Sequence, residues 1–253
     1  MSRHVSVEAQ GNLAIVRIDR PPANALDIGL LEEGHAVLAD LATAEPAAVV
    51  LTGREGFFSA GADLKAMPGL DAEGQQAMVM GINRLFAGWY GFPRPVVCAV
   101  NGHAIAGGMV LALCADHRVG ATEGRLGLTE VRAGVPYPAV AIAIVRAELS
   151  PRAARQAVLR AGLMDPPRAL ELGLLDEVRA PGEVLDRALA VAGELAALPA
   201  AGYAHAKRQL RGAVVAEAER VVAERDDPLL EAWLSPGSPD AARAILRGGG
   251  DGA

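Results

Sequence analysis

The chain has 253 residues, 51% of them hydrophobic and 21% charged, which is enough apolar material for one large core and excludes a disordered or fibrous protein. A formal net charge of −6 excludes a general nucleic-acid surface, so any phosphate recognition rests on a local basic patch. The longest nearly uninterrupted apolar stretch, 104–115, is too short to span a bilayer, and the first residues lack the apolar core of a secretory signal, so a cytoplasmic protein away from membranes is expected.

Two strand-like runs come first, Val5 to Glu8 and Leu13 to Asp19, joined by a Gly11-Asn12 turn. Helical spacing of Leu31, His35-Ala36, Leu38 and Leu41 predicts a helix from Ile28 to Leu41, with Asp27 placed to cap it. A short buried strand, Ala47 to Leu51, leads through a loop to Phe57-Phe58. A helix from Ala72 to Tyr90, a strand from Pro95 to Val100, a turn over Gly102 to Gly108 and a buried helix from Met109 to Ala115 follow. Further strand-like pieces lie at His117 to Ala121 and near Leu126. Helices then dominate: Ala139 to Leu149, Pro151 to Leu159, Pro166 to Leu172, Gly182 to Leu198, His205 to Glu224 and Leu229 to Trp233. The order is mixed α/β, and the chain divides into a core over 1–190 and a C-terminal helical extension over 191–253.

Cys98 and Cys114 lie in apolar segments without metal or redox spacing and read as buried free thiols. His4, His35, His103, His117 and His205 are scattered, no HExxH motif is present, and no metal is expected. A GxSxG elbow, a phosphate loop and a GxGxxG dinucleotide motif are all missing. Two glycine-rich turns remain, Phe58-Ser-Ala-Gly-Ala-Asp-Leu64 and Asn101-Gly-His-Ala-Ile-Ala-Gly-Gly108, each between a strand-like and a helical run. Such turns leave backbone N–H groups unpaired, and their small residues let a ligand approach the backbone.

These turns occur in order with Arg20-Pro-Pro-Ala-Asn-Ala-Leu-Asp27, Val49-Val-Leu-Thr-Gly53, Leu126-Gly-Leu-Thr-Glu-Val131 and Ala169-Leu-Glu-Leu-Gly-Leu-Leu-Asp176. Over roughly residues 10 to 210 the chain resembles the crotonase superfamily, the enoyl-CoA hydratase/isomerase family. The resemblance implies an α/β, crotonase-like spiral of ββα units with a C-terminal helical extension, assembled as a homotrimer or dimer of trimers. It implies an acyl-CoA thioester as substrate, coenzyme A arriving as part of it and no separate cofactor. By the same resemblance Ala60 and Gly107 supply the backbone N–H groups of an oxyanion hole. Ala23, Ala25, Leu26, Gly61, Ala62, Asp63, Leu64, Gly108 and Val110 fall in the substrate- and CoA-binding segments, whereas Ala133-Gly-Val-Pro-Tyr-Pro-Ala139 departs from the family's glycine-rich loop and offers the Tyr137 ring for the acyl pocket, as packing or as an acid. Arg20, Lys65 and Arg208 are candidates for the CoA phosphates, and His103 for hydrogen bonding within the second turn.

Removing a proton beside a thioester builds negative charge on its oxygen, and fixed N–H donors stabilise that enolate. Family hydratases use two glutamates; here the first of those positions is Val110 and the second is Glu130. Adding water needs a carboxylate that activates and holds it, which Val110 cannot supply. Moving a double bond from the 3- to the 2-position needs one acid–base group serving two carbons roughly 2.5 Å apart. The residues therefore favour an isomerase with Glu130 as its base. Hydration, another enolate chemistry, and a non-catalytic acyl-CoA-binding protein stay open as alternatives.

Overall fold

A computed structural model describes residues 4–228. Strands β1 (Val5–Gln10) and β2 (Leu13–Ile18) form an antiparallel hairpin, with Gly11 at φ 62 in its turn. Helix α1 (Ile28–Ala44) starts where the Asp27 side chain accepts the Leu30 N–H. Then come β3 (Ala48–Thr52), β4 (Gly56–Ser59) and α2 (Ala72–Tyr90), the last capped by Asp71. The chain continues through β5 (Val96–Val100), β6 (Gly102–Ile105), α3 (Gly107–Leu113), β7 (His117–Ala121), β8 (Leu126–Gly127) and α4 (Glu130–Ala133). It ends in α5 (Ala139–Glu148), α6 (Pro151–Arg160), α7 (Pro166–Glu171), β9 (Glu177–Arg179), α8 (Val184–Ala196) and α9 (Ala200–Glu224).

The strands sort into two sheets by a simple alternation. A six-stranded sheet has the order β1-β2-β3-β5-β7-β9, parallel beyond the first hairpin, and a three-stranded parallel sheet has the order β4-β6-β8. After the first hairpin, each turn of the chain gives one strand to each sheet before its helix, which is the expected spiral of ββα units. Strands β3 and β5 are buried along their whole length, as parallel strands covered on both faces must be. Side chains alternate between two cores: Val49, Leu51, Val96, Cys98 and Val100 face one, while Ala48, Val50, Val97 and Ala99 face the other, where Val184, Ala188, Val191 and Ala192 of α8 cover them.

This topology places three loops together. The end of the first glycine-rich turn follows β4, the end of the second, Ala106-Gly107-Gly108, follows β6, and Leu128-Thr129-Glu130 follows β8, so all three leave the carboxyl ends of adjacent strands in the small sheet. That edge is where parallel α/β sheets hold ligands.

Several boundaries differ from expectation. The turn over 102–108 contains strand β6, because Gly102 pairs directly with Gly56, where a side chain would stand 2.1 Å from the Gly56 carbonyl oxygen. The helix expected from Gly182 begins as a 3-10 turn, Pro181–Glu183, and the one expected from His205 starts at Ala200, just after Pro199. Strand β9, unexpected in so polar a segment, completes the large sheet beside β7. The helix expected over Leu229 to Trp233 lies outside the described residues.

Helix α9 is attached by buried cations. Lys207 Nζ donates to Asp116 at 2.7 Å and to the Arg94 carbonyl at 3.2 Å. Arg211 donates to the carbonyls of Tyr90, Cys114 and Ala115 and covers the Tyr90 ring at 4.2 Å. Two of those carbonyls belong to the C-terminal end of α3, so the guanidinium meets the negative end of that helix. Cys98 and Cys114 are buried free thiols, pushed up in pKa by burial. Among the described residues no helix is long and apolar enough to cross a membrane, and no cluster of His, Cys, Asp and Glu is arranged for a metal.

Candidate active site

The first turn is fixed by its own hydrogen bonds. Asn24, buried at φ 51, donates its side-chain amide to the carbonyls of Ile18, Phe57 and Phe58 and accepts the Arg20 N–H. Ser59 Oγ donates to the Asn24 carbonyl at 2.8 Å and accepts the Gly61 N–H at 3.1 Å. Leu26 bridges to both sides of Ala62, giving its N–H to the Gly61 carbonyl and taking the Asp63 N–H, both through ordinary backbone bonds. Asp63 accepts the N–H groups of Lys65 and Ala66 and pairs with Arg20 at 3.0 Å.

The Ala60 N–H is spent inside this lattice: it donates to the Ala23 carbonyl at 2.9 Å. Ala60 is therefore unavailable as an oxyanion donor, a correction to the expected pair. Gly61, at φ 79, reverses the chain, and the N–H that follows, on Ala62, has no acceptor among the described residues. The Gly107 N–H is likewise unpaired, as the first donor of α3. The two turns meet backbone to backbone. A Cβ on Gly61 would stand 2.7 Å from the Gly107 nitrogen, and one on Gly107 would stand 3.7 Å from the Ala62 nitrogen. Gly108 packs so closely on β4 that its Cβ would meet the Ser59 carbonyl oxygen at 2.1 Å. Ala106, between β6 and α3, adopts φ 51 and ψ −127, a conformation costly for any residue with a side chain.

A cavity of about 510 Å³ opens onto these donors. Its wall includes Ala23, Ala25, Ala60, Ala62, Asp63 and Leu64 from the first turn, Ala106 and Gly107 from the second, and Glu130. Ile82, Phe86, Ala133, Val135, Pro138, Ala141 and Leu163 make the remainder largely apolar. Asp63 and Glu130 are the carboxylates on that wall; Asp63 is held by Arg20, whereas Glu130 is 5% exposed and has no cationic partner among the described residues. Burial pushes the Glu130 carboxyl up to about 7, against smaller opposing effects of its own backbone N–H and of the Tyr137 hydroxyl. A base with that pKa in an apolar cavity is suited to taking and returning a proton near neutral pH.

A sequence profile of the enoyl-CoA hydratase/isomerase family matches residues 8–235. The chain belongs to that family. Among curated relatives of the enoyl-CoA hydratase/isomerase family, it is 40% identical over 198 residues to a Thermus thermophilus protein provisionally named an enoyl-CoA hydratase, covering 76% of this chain and 77% of that one. A structure titled as a Mycobacterium tuberculosis enoyl-CoA isomerase superposes with a TM-score of 0.83 at 30% identity, covering 89% of this chain and 98% of that one. The human mitochondrial delta3-delta2-enoyl-CoA isomerase superposes with a TM-score of 0.88 at 26% identity over 97% of each chain. An acyl-CoA enzyme of the enoyl-CoA hydratase/isomerase family, with its crotonase fold, is thereby established.

Within this family framework the expected site residues divide. Ala23, Ala25, Ala60, Ala62, Asp63, Leu64, Gly107 and Glu130 line the cavity, while Leu26, Gly61, Gly108, Val110 and Tyr137 are buried outside its lining. Val110, expected at the substrate, instead packs in the core through α3. Arg20 lines the cavity but pairs with Asp27 at 2.7 Å and with Asp63, which makes it a brace of the first turn. Lys65 is an exposed cation on the cavity wall, and Arg208 is exposed on α9 away from that wall. Arg132, missed by sequence reasoning, is a second exposed cation on the wall; its place two residues after Glu130 was the available signal. His103 accepts the Arg125 N–H and stacks on Phe57, a local role.

Proposed function

We propose that this acyl-CoA enzyme shifts a double bond from 3-enoyl-CoA to 2-enoyl-CoA through an enolate. The single observation that carries the reading is Glu130, a buried carboxyl with no ion-pair partner among the described residues on the wall of an apolar cavity, while the position that the family resemblance gives to a second glutamate holds the apolar Val110. The thioester oxygen lies against the N–H groups of Ala62 and Gly107. Glu130, as carboxylate, takes a proton from C2; the electron pair moves onto the thioester oxygen, where the two donors stabilise it. As the enolate collapses, the C3–C4 double bond moves to C2–C3 and C4 takes the proton back from Glu130. No atom is gained or lost, and no cofactor beyond the substrate's own CoA is called for. Lys65 and Arg132, both exposed on the wall, meet the CoA phosphates. Assembly into a trimer or dimer of trimers and a cytoplasmic location belong to the same reading; light scattering on the purified protein tests the former.

The names of the curated relatives favour a second reading, hydration. One experiment separates the readings. The protein is incubated with 3-enoyl-CoA and, separately, with 2-enoyl-CoA in deuterated water, and products are followed by mass and by absorbance of the conjugated thioester. Isomerisation gives 2-enoyl-CoA and Glu130-dependent deuterium exchange, both lost in Glu130→Gln. A 3-hydroxyacyl product as the main outcome establishes hydration instead, and neither product nor exchange establishes a silent acyl-CoA-binding protein.

A further inference from the structure

Two buried polar side-chain atoms at this site lack a hydrogen bond among the described residues: Glu130 Oε2 and Tyr137 Oη. They belong to one short segment. Glu130 opens α4, Gly134 closes it at φ 65, and the Val135 N–H returns to the Glu130 carbonyl at 3.1 Å, folding the segment back toward its own start. Tyr137 is buried and outside the cavity lining, so neither solvent nor a ligand in the cavity reaches its hydroxyl. A buried hydroxyl needs an acceptor, and a buried carboxylate oxygen needs a donor. The fold-back that brings the Val135 N–H to the Glu130 carbonyl sets Tyr137 two residues beyond that contact, on the same reversed segment as the carboxylate.

We propose that Tyr137 is the positioning residue of the base: its hydroxyl donates to Glu130 Oε2 in the ionised state, leaving Oε1 as the oxygen that faces the acyl chain and carries the proton. The inference rests on the reading of Glu130 as the acid–base group and deepens it. Transfer from C2 to C4 by a single oxygen requires the carboxylate not to rotate between the two events, and a donor gripping the other oxygen prevents that rotation. A neutral hydroxyl grips without introducing a charge that would hold Glu130 permanently ionised. Tyr137 does not touch substrate and acts only through Glu130.

The test reads Glu130 directly. Protein labelled with ¹³C at the glutamate side-chain carboxyl is titrated by NMR, with the Glu130 signal identified by its loss in Glu130→Gln. In Tyr137→Phe the Glu130 midpoint rises by about one pH unit, the size of one hydrogen bond to a charged group. Site-specific 3,5-difluorotyrosine at 137, a stronger donor, moves it the other way and supplies the reading if Tyr137→Phe does not fold. Other charged groups around the segment are constant in these comparisons: Arg20 with Asp63, Lys65 and Arg132 on the cavity wall, and the exposed Arg152, Arg155 and Arg160 of α6, which packs on α4. A midpoint unmoved in either variant overturns the proposal, since a purely packing tyrosine leaves it in place. The titration needs no turnover, so absent isomerisation in the parent protein refutes the reaction and leaves this result to stand or fall separately. Where turnover is present, Tyr137→Phe lowers kcat with little change in KM.

Discussion

Asp227 Oδ2 accepts the side-chain amide of Asn83 at 2.8 Å, joining the chain just beyond α9 to the middle of α2. The same oxygen accepts the Ala139 N–H at 2.9 Å, and Asn83 Oδ1 accepts the Val140 N–H, so the pair caps α5 directly after Pro138 on the cavity wall. Asp227 is only 2% exposed. Asp227→Ala strands these donors in the interior and is expected to lower stability by about 2–3 kcal/mol. Urea unfolding measures this, and Asp227→Asn recovers part of the loss.

Gly61 stands where no other residue fits. Its φ of 79 and the 2.7 Å approach of its would-be Cβ to the Gly107 nitrogen mean that Gly61→Ala pushes the two turns apart. The expected result is a folded protein with acyl-CoA turnover reduced by about 10²-fold or more, the scale of a lost oxyanion donor. Circular dichroism beside steady-state rates checks both halves.

Ala106 offers the opposite case. Its φ of 51 with ψ of −127 is a region glycine enters freely. Ala106→Gly relieves a strain of about 1–3 kcal/mol, partly offset by the greater freedom of glycine in the unfolded chain, for a net gain of about 1 kcal/mol. Thermal unfolding should show a rise of about 2–4 °C.

The raised pKa of Glu130 has a stability signature. The folded chain holds the proton up to about 7 against an ordinary value of 4.5, so from the lower to the higher pH it binds more protons than the unfolded chain. The group's contribution to stability is thus fully present below the unfolded value and is lost as pH rises through the folded one. Glu130→Gln removes the titration and is expected to be more stable than the parent by about 3 kcal/mol at pH 8, with the gap closing toward acid. Unfolding at pH 5 and pH 8 reads the difference; an equal gap at both would contradict a buried acid. Turnover of the parent falls as pH drops below about 7, where the base is protonated.

Much of the architecture was legible because it follows hydrophobic periodicity. The cap Asp27, the fully apolar strands β3 and β5, and the ordered motifs all mark their own places. Glu130 was picked out through motif order, and it stands as a buried carboxyl on the cavity wall. The donor of the first turn was not, because which N–H is free depends on where Gly61 reverses the backbone and on the Ala23 carbonyl, contacts that one sequence does not encode as a pattern. The short strands β6 and β9 were obscured for a similar reason: pairing partners define them more than composition does.

On the proposed reading, the acid–base group and the anion-holding donors are mounted separately. Ala62 and Gly107 hang from a lattice of main-chain bonds between two sheet strands, whereas Glu130 rides on a single helical turn ended by Gly134 and steadied by side-chain packing. Substitution can therefore retune the proton carrier, or replace it, while the negative charge of an intermediate is still accommodated. A protein built in this way can exchange one reaction for another without first losing its grip on the thioester.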